Sequence, residues 1–161
     1  MKQLLIIWHS RTGTAEAMAR AAFEGASAEG AARLVRARDA GPEDVLAASG
    51  YLFTAPENLA SLSGEMKEFF DRCYYPVLGR IEGRAYAQMI AAGSDGTNAA
   101  RQLARIATGW RLKEVQPPMI VNTNAQTTEE ILAPKTVPPE TLARCRELGA
   151  GMMAGVASGI W

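Results

Sequence analysis

The hydrophobic pattern changes period again and again along the chain. Gln3–Trp8 is apolar without alternation, as in a strand buried on both faces of a parallel sheet. Ala15, Met18, Ala19, Ala22, Phe23 and Ala26 then recur at helical spacing, which predicts a helix of small residues lying close on that sheet, closed by Gly30. Arg33–Arg36 reads as a second strand, Pro42–Ala48 as a short helix opened by its proline, and Tyr51–Thr54 as a third strand. Met66, Phe69, Phe70 and Cys73 mark an amphipathic helix entered through Ser63, followed by a fourth strand over Ala85–Ala92. Asn98–Trp110 is a helix, and Leu112–Val121 is a fifth strand interrupted by Pro117-Pro118. Pro139–Ser158 is the last helix, with Gly151, Gly155 and Gly159 suggesting tight packing on the sheet. Such alternation predicts an α/β domain with a five-stranded parallel sheet in the order 2-1-3-4-5 and helices on both faces. The stretch Asn122–Val137 fits neither period, apart from a short helix at Thr128–Leu132, and a loop of that length is expected to be functional or an interface.

Composition narrows the function classes. The 161 residues suffice for one domain, 1–161, with a single core. Lys+Arg and Asp+Glu both number 17, so no overall field favours nucleic acid or an anionic membrane. Cys73 and Cys145 fall on apolar helical stripes and read as buried free thiols, and a lone His9 argues against a zinc site. Without a signal-peptide pattern or an apolar run near the ~20 residues of a membrane span, a cytoplasmic location is expected.

Candidate chemistry begins where the first strand ends. The loop Ser10-Arg11-Thr12-Gly13-Thr14-Ala15 joins an apolar strand directly to a helix. Hydroxyls at Ser10, Thr12 and Thr14, close backbone approach at Gly13 and the unpaired N–H groups of a helix start are suited to a phosphate. The loop lacks the glycine-lysine-serine/threonine of a nucleoside-triphosphate loop and the three glycines of a dinucleotide fingerprint.

This loop resembles the phosphate loop of the flavodoxin-like superfamily, written S/T-x-T-G-x-T, with Ala15 in place of the final threonine. The resemblance implies a three-layer sandwich that binds flavin mononucleotide (FMN) by its phosphate. Two further segments match in position. Ala55-Pro56-Glu57-Asn58-Leu59 after the third strand, ahead of a helix containing Lys67 and Phe70-Asp71-Arg72, resembles the first flavin loop of NAD(P)H-dependent FMN reductases. Gly93-Ser94-Asp95-Gly96 after the fourth strand matches the second. In the family these loops hold the isoalloxazine edge largely through backbone groups. Glu57 and Asp95 could serve as acids or be merely solvated, Asp71 and Arg72 read as a surface pair or a helix-end contact, and His9 could touch the ligand or cap the sheet.

Carrier flavodoxins clamp the ring between aromatic side chains, use a glycine in the first loop and are strongly acidic. Here neither flavin loop has an aromatic residue, Asn58 is the nearest substitute for that glycine, and the charge is balanced. The expectation is therefore a two-electron oxidoreductase using NADPH or NADH on a quinone, flavin or similar small acceptor. A one-electron carrier serving a redox partner protein and a flavin-free scaffold of the same fold remain the alternatives. A homo-oligomer stays open.

Overall fold

The computed structural model describes residues 1–161. Its sheet contains β1 (Gln3–Trp8), β2 (Ala31–Arg36), β3 (Gly50–Asn58) and β5 (Ala85–Ala92), with β4 (Ser61–Leu62) as a short antiparallel return of β3. The parallel order is β2-β1-β3-β5, and the last position is shared by β6 (Lys113–Glu114) and β7 (Met119–Asn122), which both pair with β5. The predicted 2-1-3-4-5 order is therefore present, with its fifth strand in two pieces. Ala85 faces Lys113, whereas Met89 faces Met119. The edge strand thus accommodates two extra residues across Val115–Pro118, where Pro117 and Pro118 have no N–H for the ladder.

Helices α1 (Thr14–Glu29) and α6 (Pro139–Ser158) cover one face of the sheet, and α3 (Gly64–Val77) and α4 (Thr97–Gly109) the other; α2 (Pro42–Ala47) precedes β3, and α5 (Thr128–Leu132) follows β7. The two cores differ in character. Tyr51, Phe53, Phe69, Phe70, Tyr86 and Trp110 fill the α3/α4 side, with Trp110 ring contacts of 5.9 Å to Phe69 and 5.2 Å to Phe70. Alanines and methionines, among them Ala15, Ala19, Ala22, Met152 and Met153, fill the other side. Cys73 and Cys145 are buried in these cores, and burial pushes both thiols up to about 11, leaving them protonated and inert.

The small-residue core brings α1 and α6 into backbone contact. A Cβ on Gly149 would lie 1.9 Å from the Ala22 carbonyl oxygen, and one on Gly25 would lie 2.0 Å from that of Arg146. Of the three glycines expected to pack on the sheet, Gly151 faces open space, Gly155 lies under the Trp161 indole, and Gly159 ends α6 at φ 71°. Gly155 is thus tightly packed, as expected, but against Trp161, while the closest backbone approaches fall on Gly25 and Gly149 and join two helices, because a glycine's neighbour depends on the face it occupies.

The first flavin segment is also more regular than expected. Strand β3 runs on through Ala55 and Pro56, then turns back at Leu59 and Ala60, whose φ values of 51° and 57° are those of a primed hairpin turn. Pro56 is tolerated because the β1 ladder has already ended at Trp8–Thr54. Positive φ disfavours leucine and alanine, and contacts from α4 offset that cost. The Asn98 amide donates to the Ala60 carbonyl, and the Gln102 side chain accepts from Leu62 N at 2.7 Å and donates to Ser61 Oγ at 3.1 Å.

His9 continues from β1 and points away from the cleft, toward the start of α3. Its Nδ1 is 2.8 Å from Ser63 Oγ, and its Nε2 is 3.8 Å from Glu65. Arg36 donates twice to Glu65, at 2.9 and 3.1 Å, and lies over the Trp8 ring at 5.6 Å. These donated hydrogen bonds hold the Glu65 carboxyl below its usual range, whereas burial lowers the His9 imidazole from its ordinary 6.5. Arg72 donates to the carbonyls of Ala37 and Ala40 at 3.0 and 2.9 Å and so fixes the turn after β2, while Asp71 pairs with Lys67 on the surface.

Two predictions arise from this packing. Gly149→Ala should destabilise the fold by about 2 kcal/mol or more, because the added methyl must push a helix backbone aside. Gly151→Ala should leave stability unchanged or raise it by about 0.5 kcal/mol. Urea unfolding of both variants checks the contrast. Below pH 6.5 the unfolded chain takes up a proton at His9 that the native chain resists, so this site's stabilisation is present above that pH and lost on acidification. His9→Asn should be less stable at pH 7 but lose less stability than the wild type between pH 7 and 5, as read by thermal unfolding.

Candidate functional site

The carboxyl ends of β1, β3, β5 and β7 meet at one cleft. Its phosphate-loop wall contains Ser10, Arg11, Thr12, Thr14 and Ala15; its sheet wall contains Pro56, Glu57, Asn58, Ala91, Ala92 and Gly93. The far wall comes from the segment after β7, through Thr123, Ala125, Ile131, Leu132 and Lys135. A Thr123 N–H bond of 2.8 Å to the Ala92 carbonyl ties this segment to the sheet. No aromatic side chain lines the cleft.

Gly13 enters α1 at φ 112°, a conformation that favours glycine, and no side chain caps the helix. The N–H groups of Thr14, Ala15 and Glu16 consequently have no protein acceptor. The nearby hydroxyls are arranged as donors. Ser10 Oγ accepts from Gly13 N at 3.1 Å and Thr12 Oγ1 from Lys135 Nζ at 3.3 Å, leaving both hydroxyl protons to point elsewhere. Thr14 Oγ1 is buried without any partner, although the residue lines the cleft. An orphaned buried hydroxyl is costly unless an acceptor completes it, and a phosphate offers acceptors only.

The start of α4 makes the contrast. Gly96 also begins its helix at positive φ, 93°, but here the Glu57 carboxylate accepts from Gly96 N at 2.9 Å and Ala99 N at 3.1 Å. Asp95 accepts from Thr97 N at 3.1 Å and from the Thr97 hydroxyl, which holds its carboxyl below the usual range. The chain's own carboxylates therefore occupy this helix start. Glu57 spans from β3 to α4 and ties Ala55–Leu59 to Gly93–Gly96.

The predicted site residues do not all face the cleft. Ser10, Arg11, Thr12, Thr14, Ala15, Pro56, Glu57, Asn58 and Gly93 line it. Ala55 is buried in the α3/α4 core, Leu59 is fully exposed at the hairpin tip, Ser94 is exposed outside the cleft lining, and Asp95 and Gly96 form the α4 start. Gly13 backs onto Lys135, where a Cβ would lie 3.7 Å from its carbonyl oxygen. Ile131, Leu132 and Lys135 escaped sequence reasoning; the length of the 122–137 stretch was the only signal that it served a purpose.

No helix is long and apolar enough to cross a membrane, and no cluster of His, Cys, Asp and Glu is placed to hold a metal ion. Comparison with known proteins fits this geometry. A flavodoxin of Aquifex aeolicus (strain VF5) is 37% identical over 98 residues, which cover 60% of this chain and 53% of that protein, so the match spans about half the relative's length. The flavodoxin, WrbA-like protein from Agrobacterium tumefaciens superimposes with a TM-score of 0.78 at 17% identity, covering 98% of this chain and 99% of that one. Rubredoxin oxygen:oxidoreductase from Desulfovibrio gigas gives 0.80 at 13% identity, covering 99% of this chain and 37% of that one. These likenesses show the flavodoxin fold. The sequence model of NADPH-dependent FMN reductase matches residues 39–127, more than half of the chain and both flavin segments, and the chain belongs to that family.

Proposed function

We propose that residues 1–161 act as one FMN-binding unit that passes electron pairs between a reduced pyridine nucleotide and a small acceptor such as a quinone. The observation that carries this is the phosphate cradle: an uncapped helix start, two hydroxyls already supplied with incoming hydrogen bonds, and a third buried without a partner. The residues present fit FMN. Ser10, Thr12 and Thr14 would hold its phosphate, and the backbone of Glu57, Asn58 and Gly93 would meet the polar edge of its ring. Pro56, Ala91 and Ala92 supply an apolar floor, and the exposed Ile131 and Leu132 would shield one side of a bound ring. When bound, FMN supplies hydride-transfer chemistry.

The aliphatic lining supports a reductase over a carrier. Small side chains leave a ring face uncovered, and hydride transfer needs the reacting atoms within ~3–3.5 Å. The balanced charge, 17 basic against 17 acidic residues, also gives little electrostatic steering toward a strongly charged redox protein.

A charge-assisted hydrogen bond to phosphate contributes roughly 1.5–3 kcal/mol. The double variant Ser10→Ala/Thr12→Val should thus weaken FMN by at least about tenfold and riboflavin far less; equal losses in a fluorescence titration would show that the phosphate lies elsewhere. FMN-loaded wild type should oxidise NADPH or NADH with a quinone acceptor. Leu132→Trp should slow that turnover while binding FMN somewhat tighter, an aromatic stack contributing roughly 0.5–1.5 kcal/mol. Anaerobic stopped-flow reduction measures it, and an unchanged rate would place the nicotinamide on another face. Failure of the wild type to oxidise either nucleotide with any quinone or flavin acceptor would favour the carrier.

A further inference from the structure

Lys135 comes to the phosphate loop from the far end of the chain. Its backbone N–H donates to the Thr12 carbonyl at 2.9 Å, and its ammonium donates to the carbonyls of Ile131 and Ala133, at 2.9 and 2.6 Å, and to Thr12 Oγ1 at 3.3 Å. None of these partners is anionic, so the positive charge beside the cleft has no counter-charge from the protein. An ammonium cannot accept a hydrogen bond. The Thr12 oxygen must therefore be the acceptor in this contact, and its own proton is directed elsewhere. With the Ser10 oxygen accepting from Gly13 N–H and Thr14 Oγ1 without a partner, the cradle offers hydroxyl and N–H donors beside two cations, Lys135 and Arg11, neither of which is paired with a carboxylate.

We infer that Lys135, the cation of the cleft that the chain itself holds in place, is a counter-charge of the bound phosphate and sets the Thr12 hydroxyl as its donor, so that the cleft selects a phosphate monoester in its dianionic form. This rests on the reading of the cleft as an FMN site. Donors and a cation gain most from a ligand with two negative charges and no proton of its own. A pyrophosphate diester, as in FAD, has one charge on each phosphate, and riboflavin has none. The same side chain closes the end of α5, whose Ile131 and Leu132 form the apolar wall. Phosphate recognition and placement of that wall are thereby assigned to one residue, and Lys135 acts on Thr12 as a positioning residue.

The test titrates wild type, Lys135→Met and Lys135→Arg with FMN and riboflavin between pH 5 and 7.5. The methionine variant should lose about tenfold or more in FMN affinity at pH 7.5 while keeping riboflavin within about twofold, and arginine should restore most of the loss. Wild-type affinity for FMN should rise with pH as the phosphate gains its second charge near pH ~6. That rise should shrink in Lys135→Met, a response that loss of a merely structural contact would not give. FMN binding unchanged by Lys135→Met, equal loss of both flavins or an unchanged pH dependence would overturn the inference. Should circular dichroism show Lys135→Met unfolded, Lys135→Gln is judged by the same criteria. If wild type binds neither flavin, the FMN reading fails and takes this inference with it.

Discussion

The open start of α1 is the constraint on which the cleft depends. A helix leaves its first N–H groups without intrahelical acceptors, and a buried start must find them elsewhere. At α4 the chain solves the problem internally with Glu57 and Asp95; at α1 it supplies no acceptor and surrounds the vacant donors with three hydroxyls. Both helices begin at a glycine of positive φ, so geometry alone does not separate them. What does is whether a carboxylate already occupies the start. One end is closed by the chain's own carboxylates, and the other has no protein acceptor and lines the cleft.

The rest of the fold holds that helix start in register with the flavin segments. Gly25 and Gly149 let α6 press α1 onto the sheet at backbone distance, which fixes α1 along its length. Glu57 joins the end of β3 to α4, while Asn98 and Gln102 hold the hairpin in its strained turn. On the opposite side, His9, Ser63, Glu65 and Arg36 bind the end of β1 to α3, so His9 serves the scaffold rather than the ligand. The cleft is thus built from segments whose positions are set by side-chain hydrogen bonds, most of them partly buried, and its apolar lining adds shape without an aromatic clamp.

Much of this was legible in the sequence, for identifiable reasons. Strand β1 and helix α6 fall where the unbroken apolar run and the opening proline placed them, because β1 is buried on both faces and Pro139 stands at the first position of its helix. That Ser10–Ala15 would join β1 to α1 at a cleft was legible because its hydroxyls and glycine are contiguous. The end of β3 was not: Pro56 reads as a loop until β1 is seen to stop short of it, a fact about a neighbouring strand. The glycines that join α1 to α6 were missed because Gly149 differs from Gly151 only in which helical face it occupies. Lys135 was hidden because its partner, Thr12, lies 123 positions away. Contacts of that separation arise from topology and leave no mark on local pattern.

The most direct measurement of the central claim is the affinity of the wild-type chain for FMN against riboflavin, by calorimetric titration at pH 7.5. The two ligands share the ring and ribityl chain and differ only in the phosphate. Three hydroxyl donors, an open helix start and a lysine around one dianion should favour FMN by at least about a hundredfold. Equal affinities, or no binding of either flavin, would contradict the account.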